Sequence, residues 1–261
     1  MGTPSSPTSS APAWNKDGSP VAHPEPWGHR GAFTTIRVEG TPPHPIFLEA
    51  HLARLEESAR LLGVEPIATQ EQIRERLAAF LSSPSLAAPC LLRICMFEDC
   101  LGFSFRPANA GESSLTGKIL RHLRSVPEAK STADKELYGR LTELDLTHED
   151  FLLVHPEIEV VLETATSNLF FAQGDRLVIP EKNILPGIIL SKLLSELTEF
   201  TPERTSPRLA ELLAFDEIIL CGSGREVSAL ATIPEIGWQR RSEKAFLQLR
   251  ETYDKLKADH A

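Results

Sequence analysis

The chain has 261 residues, of which 41% are hydrophobic and 24% charged, a composition typical of a globular protein with one large domain or two smaller ones. Its formal net charge of -9 argues against a nucleic-acid partner, because such proteins normally carry a basic surface. No apolar run reaches the roughly 20 residues of a membrane span and no signal-peptide pattern opens the chain, so a cytoplasmic location is expected.

The N-terminal segment, residues 1–27, is expected to be a mostly disordered tail. It holds six of the twenty prolines together with Ser, Thr and Gly, and such a composition buries too little apolar surface to offset the entropy of ordering. Within it, residues 14–21 keep the pattern of a short strand around the Asp17-Gly18 pair.

Residues 28–110 are predicted to form a small α/β domain. Its helices have apolar side chains at 3.6-residue spacing, and the second begins at a capping box made by Thr69 and Gln72. Its strands are runs rich in β-branched and aromatic residues. The predicted elements are, in order, a strand at 32–38, helices at 47–62 and 71–81, and strands at 90–97 and 101–106.

Residues 111–125 are polar and contain Gly and Ser, so they are predicted to be a linker to a larger second domain, residues 126–261. That domain combines short apolar strands, separated by turn residues, with amphipathic helices. The predicted elements are a helix at 134–145, strands at 151–154, 158–163, 168–172 and 176–179, a helix at 188–197, strands at 216–221 and 227–233, and a helix at 242–258.

The four cysteines, at positions 90, 95, 100 and 221, are expected to be buried free thiols. They form no CxxC pair, and three of them lie in or beside the strand predicted at 90–97. Reduced thiols fit a cytoplasmic protein, and no metal site is expected.

Several sequence motifs follow one another in a characteristic order. They are GAFTTIRVEG at 31–40, HLARLEESARLLG at 51–63, RSVPEAKST at 124–132, LETATSNLFF at 162–171, NILPGIIL at 183–190 and EIILCGSGREVSAL at 217–230. This succession resembles the class-IV aminotransferase family over residues 28–238. The resemblance implies a two-lobed α/β (α+β) fold with a larger, β-barrel-like C-terminal domain. It also implies pyridoxal 5'-phosphate (PLP) as cofactor in the cleft, a small-molecule amino substrate and a homodimer.

Lys130 and Glu163 are the residues that this resemblance assigns to the chemistry. Lys130 matches the family's Schiff-base lysine, whose amine must lose its proton to attack the cofactor aldehyde and must later move protons. Partial burial would lower the pKa of this amine and so permit both tasks. Glu163 matches the carboxylate that keeps the cofactor's ring nitrogen protonated, with Asn168 five residues further on.

The resemblance also implies a phosphate site, which physically needs backbone amides at a helix start, a glycine for close approach and a strong cation. Gly187 precedes the predicted helix at 188–197, and Arg54 lies one turn after His51 on the first helix. The predicted cofactor-binding residues are Arg54, Lys130, Glu163, Asn168, Gly187, Ile188, Ile189, Ser223 and Gly224.

Several positions depart from the family pattern. Ile189 and Leu190 stand where the family commonly has Thr and Arg, which removes one phosphate hydroxyl. The proline-rich tail is expected to replace the strand that normally starts the small domain. These departures keep open the alternative of a non-catalytic relative on the same fold.

The reaction is predicted from the run Phe33, Thr34 and Thr35, which is expected to contact substrate. The run resembles the family's lyases, which convert 4-amino-4-deoxychorismate to 4-aminobenzoate and pyruvate in folate synthesis. Threonines are also simply good strand residues. The alternative is a branched-chain or D-amino-acid transaminase, which would need a second cation for a 2-oxo acid carboxylate, and the sequence identifies none.

Overall fold

A computed structural model describes residues 11–25, 27–83, 86–108, 114–197 and 202–260. It confirms the α/β fold class, with helices packed on two sheets. The helices are α1 (Leu48–Leu62), α2 (Gln70–Leu81), α3 (Lys135–Arg140), α4 (Ile188–Glu196) and α5 (Lys244–Ala258). Short 3-10 helices span Leu141–Glu143, Leu209–Ala214 and Pro234–Ile236.

The strands of the first sheet are β1 (Ala13–Asn15), β2 (Pro20–Val21), β3 (Gly31–Glu39), β4 (His44–Pro45), β5 (Cys90–Phe97) and β6 (Cys100–Pro107). Those of the second are β7 (Leu115–Arg121), β8 (Glu149–Val154), β9 (Val161–Thr164), β10 (Asn168–Gln173), β11 (Arg176–Ile179), β12 (Glu203–Arg204), β13 (Glu217–Gly222), β14 (Glu226–Ile233) and β15 (Trp238–Gln239). Most predicted elements are therefore confirmed to within a few residues.

The first sheet is antiparallel, with the strand order β2-β1-β6-β5-β3-β4. The helices α1 and α2 cover one of its faces, because their apolar stripes bury Leu52, Leu55 and Leu77 in one cluster with sheet residues such as Leu92. Gly63 ends α1 in the left-handed conformation, with φ 62°, and its N–H bonds to carbonyls of the last turn. The capping box predicted for α2 is present.

The second sheet has the order β12-β11-β10-β13-β14-β7-β8-β9, with β15 added beside β14. It curls, so that β9 also contacts β10. One face packs against α4 and α5, and the other encloses a second apolar cluster. In that cluster Trp238 is fully buried, and its Nε1 donates a hydrogen bond of 2.8 Å to the carbonyl of Phe215.

The strand pattern predicted at 14–21 is confirmed, so the expectation of a mostly disordered tail is wrong for this stretch, whereas residues 1–10 and 26 lie outside the described ranges. A hairpin of β1 and β2 adds to the edge of the first sheet through pairing of β1 with β6. Two individual residues stabilise the hairpin, and the average composition of the segment does not reveal them. Trp14 packs edge-on against Phe103 at 5.2 Å, and Gly18 supplies the turn with φ 87°. A strand therefore does start the first sheet.

The predicted linker was also wrong, because its residues 115–121 form β7 near the middle of the second sheet. Residues 109–113 lie outside the described ranges. Gly117 contributed to the linker prediction, but in the structure it allows close packing of β7. A Cβ there would lie 2.9 Å from Leu230 Cδ1, so glycine permits close approach of β7 to its neighbour.

Two predicted boundaries shift near the centre of the chain. The helix predicted at 134–145 is shorter, with α3 capped by the Asp134 side chain and followed by a 3-10 turn. The strand predicted at 158–163 begins only at Val161, because Glu159 adopts a left-handed φ of 54° that interrupts an extended strand.

Within the described ranges, no helix combines the length and apolarity required to cross a bilayer.

Candidate active site

A cavity of about 550 Å³ lies between the two sheets and collects residues that are far apart in the chain. Strands β3, β5 and β6 of the first sheet line it on one side. The ends of β9, β10 and β13 and the start of α4 line it on the other. All predicted site residues except Thr34 line this cavity: Phe33, Thr35, Arg54, Lys130, Glu163, Asn168, Gly187, Ile188, Ile189, Ser223 and Gly224.

The backbone of Lys130 is held by both neighbouring elements. Its N–H donates to Ser58 Oγ of α1 at 3.1 Å, and its carbonyl accepts from the N–H of Phe33 at 2.9 Å. The side-chain nitrogen Nζ lies 4.8 Å from the centre of the Phe33 ring. Burial lowers the pKa of Lys130 well below its ordinary value, and the positive charges of Arg54 and Arg124 lower it further. The amine is thus prepared to act as a nucleophile and a base.

Glu163 is a buried carboxylate whose two oxygens face several donors. Arg124 Nη1 lies 2.9 Å from Oε1, and Asn168 Nδ2 lies 3.3 Å from Oε2. The N–H of Leu185 donates to both oxygens at 3.3 Å. Burial raises the pKa of Glu163, while Arg124, Lys130 and the Leu185 amide lower it, so the carboxylate is both desolvated and held in place.

The turn that joins the strands carrying Glu163 and Asn168 is fixed from behind by Asp150. Asp150 Oδ2 accepts hydrogen bonds from Thr164 Oγ1 at 3.1 Å and from Thr166 Oγ1 at 2.5 Å. It also pairs with Arg225 Nε at 2.9 Å. This network sets the direction in which both strands enter the cavity.

The start of α4 forms a close-fitting end of the cavity. Gly187 is its N-cap residue and makes no side-chain cap, so the amides of Ile188 and Ile189 belong to an uncapped first turn. A Cβ on Gly187 would lie 1.7 Å from Asn168 Oδ1, which only glycine avoids. The side chains of Ile189 and Leu190 belong to the apolar cluster under α4, and Ile189 also lines the cavity.

Arg54 reaches the cavity from α1 and is oriented by neutral partners. Its Nη2 donates to Thr34 Oγ1 at 2.9 Å and approaches His51 Nδ1 at 3.3 Å. Arg54 Nε is buried and has no hydrogen-bond partner among the described residues, and burial lowers the pKa of the guanidinium to about 10. Burial and the charges of Arg54 and Lys130 also lower the pKa of His51 far enough to keep it neutral, and its Nε2 lies 3.4 Å from Ser223 Oγ.

Comparison with models of protein families gives a match that covers most of the chain. The model of the family described as amino-transferase class IV matches residues 31–233. The chain belongs to the class-IV aminotransferase family. It is therefore a PLP-dependent enzyme, as its sequence motifs predicted. A search of curated proteins found no match.

Solved structures share the fold at low sequence identity. A branched-chain aminotransferase from Thermoproteus uzoniensis is 19% identical, with a TM-score of 0.78 over 94% of this chain and 93% of that chain. A hypothetical aminotransferase from Mycobacterium tuberculosis in a PLP-bound form is 20% identical, with a TM-score of 0.76 over 96% and 100%. A protein provisionally assigned as a 4-amino-4-deoxychorismate lyase from Legionella pneumophila is 20% identical, with a TM-score of 0.74 over 87% and 91%.

The residues present fit PLP at both ends of the molecule. The phosphate end needs a cation and helix amides, and the unpaired Nε of Arg54 and the uncapped start of α4 offer them. The absence of a side chain at Gly187 lets Asn168 pack against the start of that helix. The aldehyde end needs a neutral lysine and the ring nitrogen needs a carboxylate, which Lys130 and Glu163 can provide.

The expectation that Thr34 contacts substrate does not agree with its position in β3. Successive strand residues face opposite sides of a sheet, so Phe33 and Thr35 point into the cavity while Thr34 points towards α1. Thr34 is fully buried, and its hydroxyl is already bound to His51 and Arg54. Thr34 instead accepts a hydrogen bond from Arg54, the residue predicted to bind the cofactor phosphate.

Sequence reasoning missed three arginines that line the cavity: Arg93, Arg106 and Arg124. The sequence identified no second cation for a substrate carboxylate, whereas the structure places these arginines in the lining of the cavity. Arg124 opens the matched segment 124–132, and its spacing from the lysine was a usable signal. Arg93 interrupts the apolar run LLRICM, which was a second signal. Arg106 stands in no quoted motif, and only strand pairing brings it to the site.

Proposed function

We propose that this enzyme is a lyase that converts 4-amino-4-deoxychorismate to 4-aminobenzoate and pyruvate, a step of folate synthesis. Lys130 is the residue that binds the PLP aldehyde, and Glu163 faces the ring nitrogen. The observation that supports PLP chemistry is that a lysine with a lowered pKa and a buried carboxylate face one cavity, and the choice of a lyase rests on the resemblance of the run at 33–35 to the family's lyases. Such paired, perturbed groups are typical of catalytic sites.

In this proposal, bound PLP supplies the electron sink for the pair of electrons released when a bond beside the substrate nitrogen breaks. Lys130 would remove the proton from the ring carbon that carries the nitrogen. The C–O bond to the enolpyruvyl group then breaks with its electron pair on oxygen, and Lys130 would return the proton to the methylene carbon of this leaving group, which becomes pyruvate. Glu163 keeps the ring nitrogen protonated, because an ionised carboxylate stabilises the positive charge there. The hydroxyl of Thr35, which lines the cavity, contacts the substrate.

The phosphate group is assigned to the opposite end of the cavity. Arg54, the amides of Ile188 and Ile189, and the turn at Ser223 and Gly224 are its proposed ligands. His51 takes part indirectly, because it lies between Arg54 and Ser223 and contacts both. Its neutral ring avoids a repulsive charge beside the arginine.

A transaminase remains the second candidate, and a specific observation favours it. Arg93 and Arg106 supply the cations for a 2-oxo acid carboxylate that the sequence did not reveal. Lys130 would then move a proton between the substrate carbon and the cofactor carbon. The two reactions use the same lysine and carboxylate, so only substrate tests separate them.

The first experiment is the absorption spectrum of the purified protein with added PLP, recorded for the wild type and for Lys130→Ala. We expect the visible band of lysine-bound cofactor in the wild type only. Lys135→Ala, which changes an exposed lysine five residues further on, should keep the band. No band in any protein, or the same band in all three, would overturn the lysine assignment and leave a non-catalytic relative as the best description.

A second experiment separates the two reactions. The lyase should release pyruvate from 4-amino-4-deoxychorismate without any added 2-oxo acid. A transaminase should instead convert bound PLP to its aminated form when an amino acid alone is added, with loss of the visible band. Conversion by several amino acids without pyruvate release would overturn the lyase proposal.

We also propose that the enzyme is a homodimer, as the family resemblance implies. The supporting consideration is the resemblance itself, which covers most of the chain. Light scattering after size-exclusion chromatography should give twice the mass of one chain. A monomer that is active at the same concentration would contradict the proposal.

A further inference from the structure

The hairpin turn between β13 and β14 carries two of the proposed phosphate ligands. The strands stay paired up to Gly222 and Glu226, which stand opposite each other and close a loop of three residues. Two of these, Ser223 and Gly224, line the cavity, whereas the lining that the structure describes does not include Glu226. The third, Arg225, is anchored to the carboxylate network behind the site. The position of the turn therefore also depends on what holds Glu226.

The side chain of Glu226 ends in a buried cluster of charges where residues of both sheets and of α5 meet. Its Oε1 lies 2.5 Å from Lys257 Nζ and 3.3 Å from Arg37 Nε. Its Oε2 lies 3.5 Å from Arg250 Nη2. Burial alone would raise the pKa of Glu226, but the three cations lower it below its ordinary value, so the side chain is ionised. A buried carboxylate with three cationic partners has few other positions open to it.

The backbone of Glu226 is constrained as well. Its φ of 55° lies in the left-handed region, which residues other than glycine, asparagine and aspartate seldom adopt. Such a conformation persists only where the surrounding structure holds it. Arg250 Nη1 also donates to the carbonyl of Val227 at 3.2 Å, so α5 fixes the side chain of one residue and the backbone of the next. The charge cluster thus holds the start of β14, and with it the adjoining turn.

The cluster keeps part of its pairing when the charge of Glu226 is removed. Arg37 Nε also lies 2.5 Å from Glu39 Oε1, and Arg250 Nε lies 3.2 Å from Asp254 Oδ2. Both arginines therefore retain a carboxylate in Glu226→Gln. The amide of glutamine has nearly the size of the carboxylate and can still accept a hydrogen bond through its oxygen. We expect this variant to fold, so its effect on the cofactor can be measured.

We propose that Glu226 is a positioning residue, which holds the turn at Ser223 and Gly224 in the shape that binds the cofactor phosphate. It acts through the turn, which it ties to α5 and to β3. The proposal rests on the proposed function, because that function assigns the phosphate to this turn. It also extends the determinants of cofactor affinity to the C-terminal helix, since Arg250 and Lys257 hold Glu226 from α5.

The test compares PLP with pyridoxal, which has the same ring and aldehyde but no phosphate group. Each is titrated into the cofactor-free protein, and binding is followed by the visible band of the lysine-bound cofactor. We expect the wild type to bind PLP on the order of a hundredfold or more tightly than pyridoxal, because several donors face the phosphate. Glu226→Gln should lower the affinity for PLP on the order of tenfold and that for pyridoxal by about twofold or less. A variant with merely reduced stability would bind both ligands less tightly by the same factor.

Two further variants accompany Glu226→Gln. Lys257→Gln removes the nearest cation and should lower the affinity for PLP alone by about threefold. Glu251→Gln is the matched control, because it removes an exposed carboxylate from the same helix and should keep the full preference for PLP.

The outcomes separate this role from the proposed function. Absence of the visible band in the wild type with either ligand would overturn the proposed function, and equal affinity for PLP and pyridoxal would overturn the phosphate site. A wild type that prefers PLP, together with a Glu226→Gln variant that keeps this preference or loses affinity for both ligands equally, would overturn the positioning role. If Glu226→Gln does not fold, the same criterion applies to Lys257→Gln.

Discussion

Replacement of Arg124 by Met should move the pH range over which Glu163 is ionised. The two side chains are buried, and Arg124 Nη1 lies 2.9 Å from Glu163 Oε1. Burial raises the pKa of Glu163, and Arg124 is the strongest of the groups that lower it, ahead of Lys130 and the Leu185 amide. Without the guanidinium, only Lys130 and the Leu185 amide still lower the pKa of Glu163, so burial raises it further.

The magnitude follows from the usual cost of breaking a buried ion pair. Leaving one partner unpaired costs about 3–5 kcal/mol. One pKa unit corresponds to about 1.4 kcal/mol, so a cost of about 3 kcal/mol equals a pKa shift of about two units. Relaxation of the site would make the shift smaller. A protonated Glu163 cannot stabilise a proton on the ring nitrogen. We therefore expect the acidic limb of the activity profile to move upward by about one to two pH units, with activity recovering as the pH rises.

The assay is kcat/KM against pH for the wild type, Arg124→Met and Arg124→Lys, with the substrate that the spectral experiments identify. Arg124→Lys keeps the positive charge but not the forked geometry, so its acidic limb should move less than that of Arg124→Met. A uniform loss of activity with the acidic limb in its original place would show that the charge of Arg124 does not set the pKa of Glu163. In that case Arg124 would act through its shape or through folding, not through the charge of Glu163.

Three further predictions concern single positions. Gly187→Ala should weaken PLP binding at least about tenfold in a spectral titration, because its Cβ would collide with Asn168 Oδ1; unchanged affinity would mean that α4 shifts freely. Thr34→Val should lower PLP affinity, because Thr34 binds Arg54, while Thr35→Val should mainly raise KM, because Thr35 lines the cavity. The opposite pattern would mean that Thr34 points into the cavity and Thr35 away from it. Leu77→Ala should lower the free energy of unfolding by about 2–5 kcal/mol in urea titrations and leave the cofactor band intact, whereas an altered band would link this core to the cavity.

Local patterns predicted most helices and strands because their causes lie within a few residues. The leucine spacing of α1 ends at Gly63, which adopts φ 62°, and Thr69 and Gln72 form the capping box of α2. These features depend on backbone geometry and on neighbours three or four positions away. They are therefore readable from one chain segment alone.

The strand pattern at 14–21 was recognised in the sequence, but the expectations of a disordered tail and of a linker failed where a distant partner decides the outcome. Residues 13–21 form a hairpin because Trp14 finds Phe103 and because β6 offers a free edge. Residues 115–121 form a strand because β8 and β14 accept β7 between them. Composition describes a segment in isolation, so it gives no information about such partners.

The ordered sequence motifs were enough to predict the family, the cofactor and the pair Lys130 and Glu163, because they carry these residues at characteristic spacing. Which side chains reach the cavity could be seen only in the folded chain. The register of β3, β5 and β6 turned Thr34 away from it and brought Arg93 and Arg106 into it. The physical reason is that strand pairing joins residues far apart in the chain, and a shift of one residue in that pairing would reverse every face.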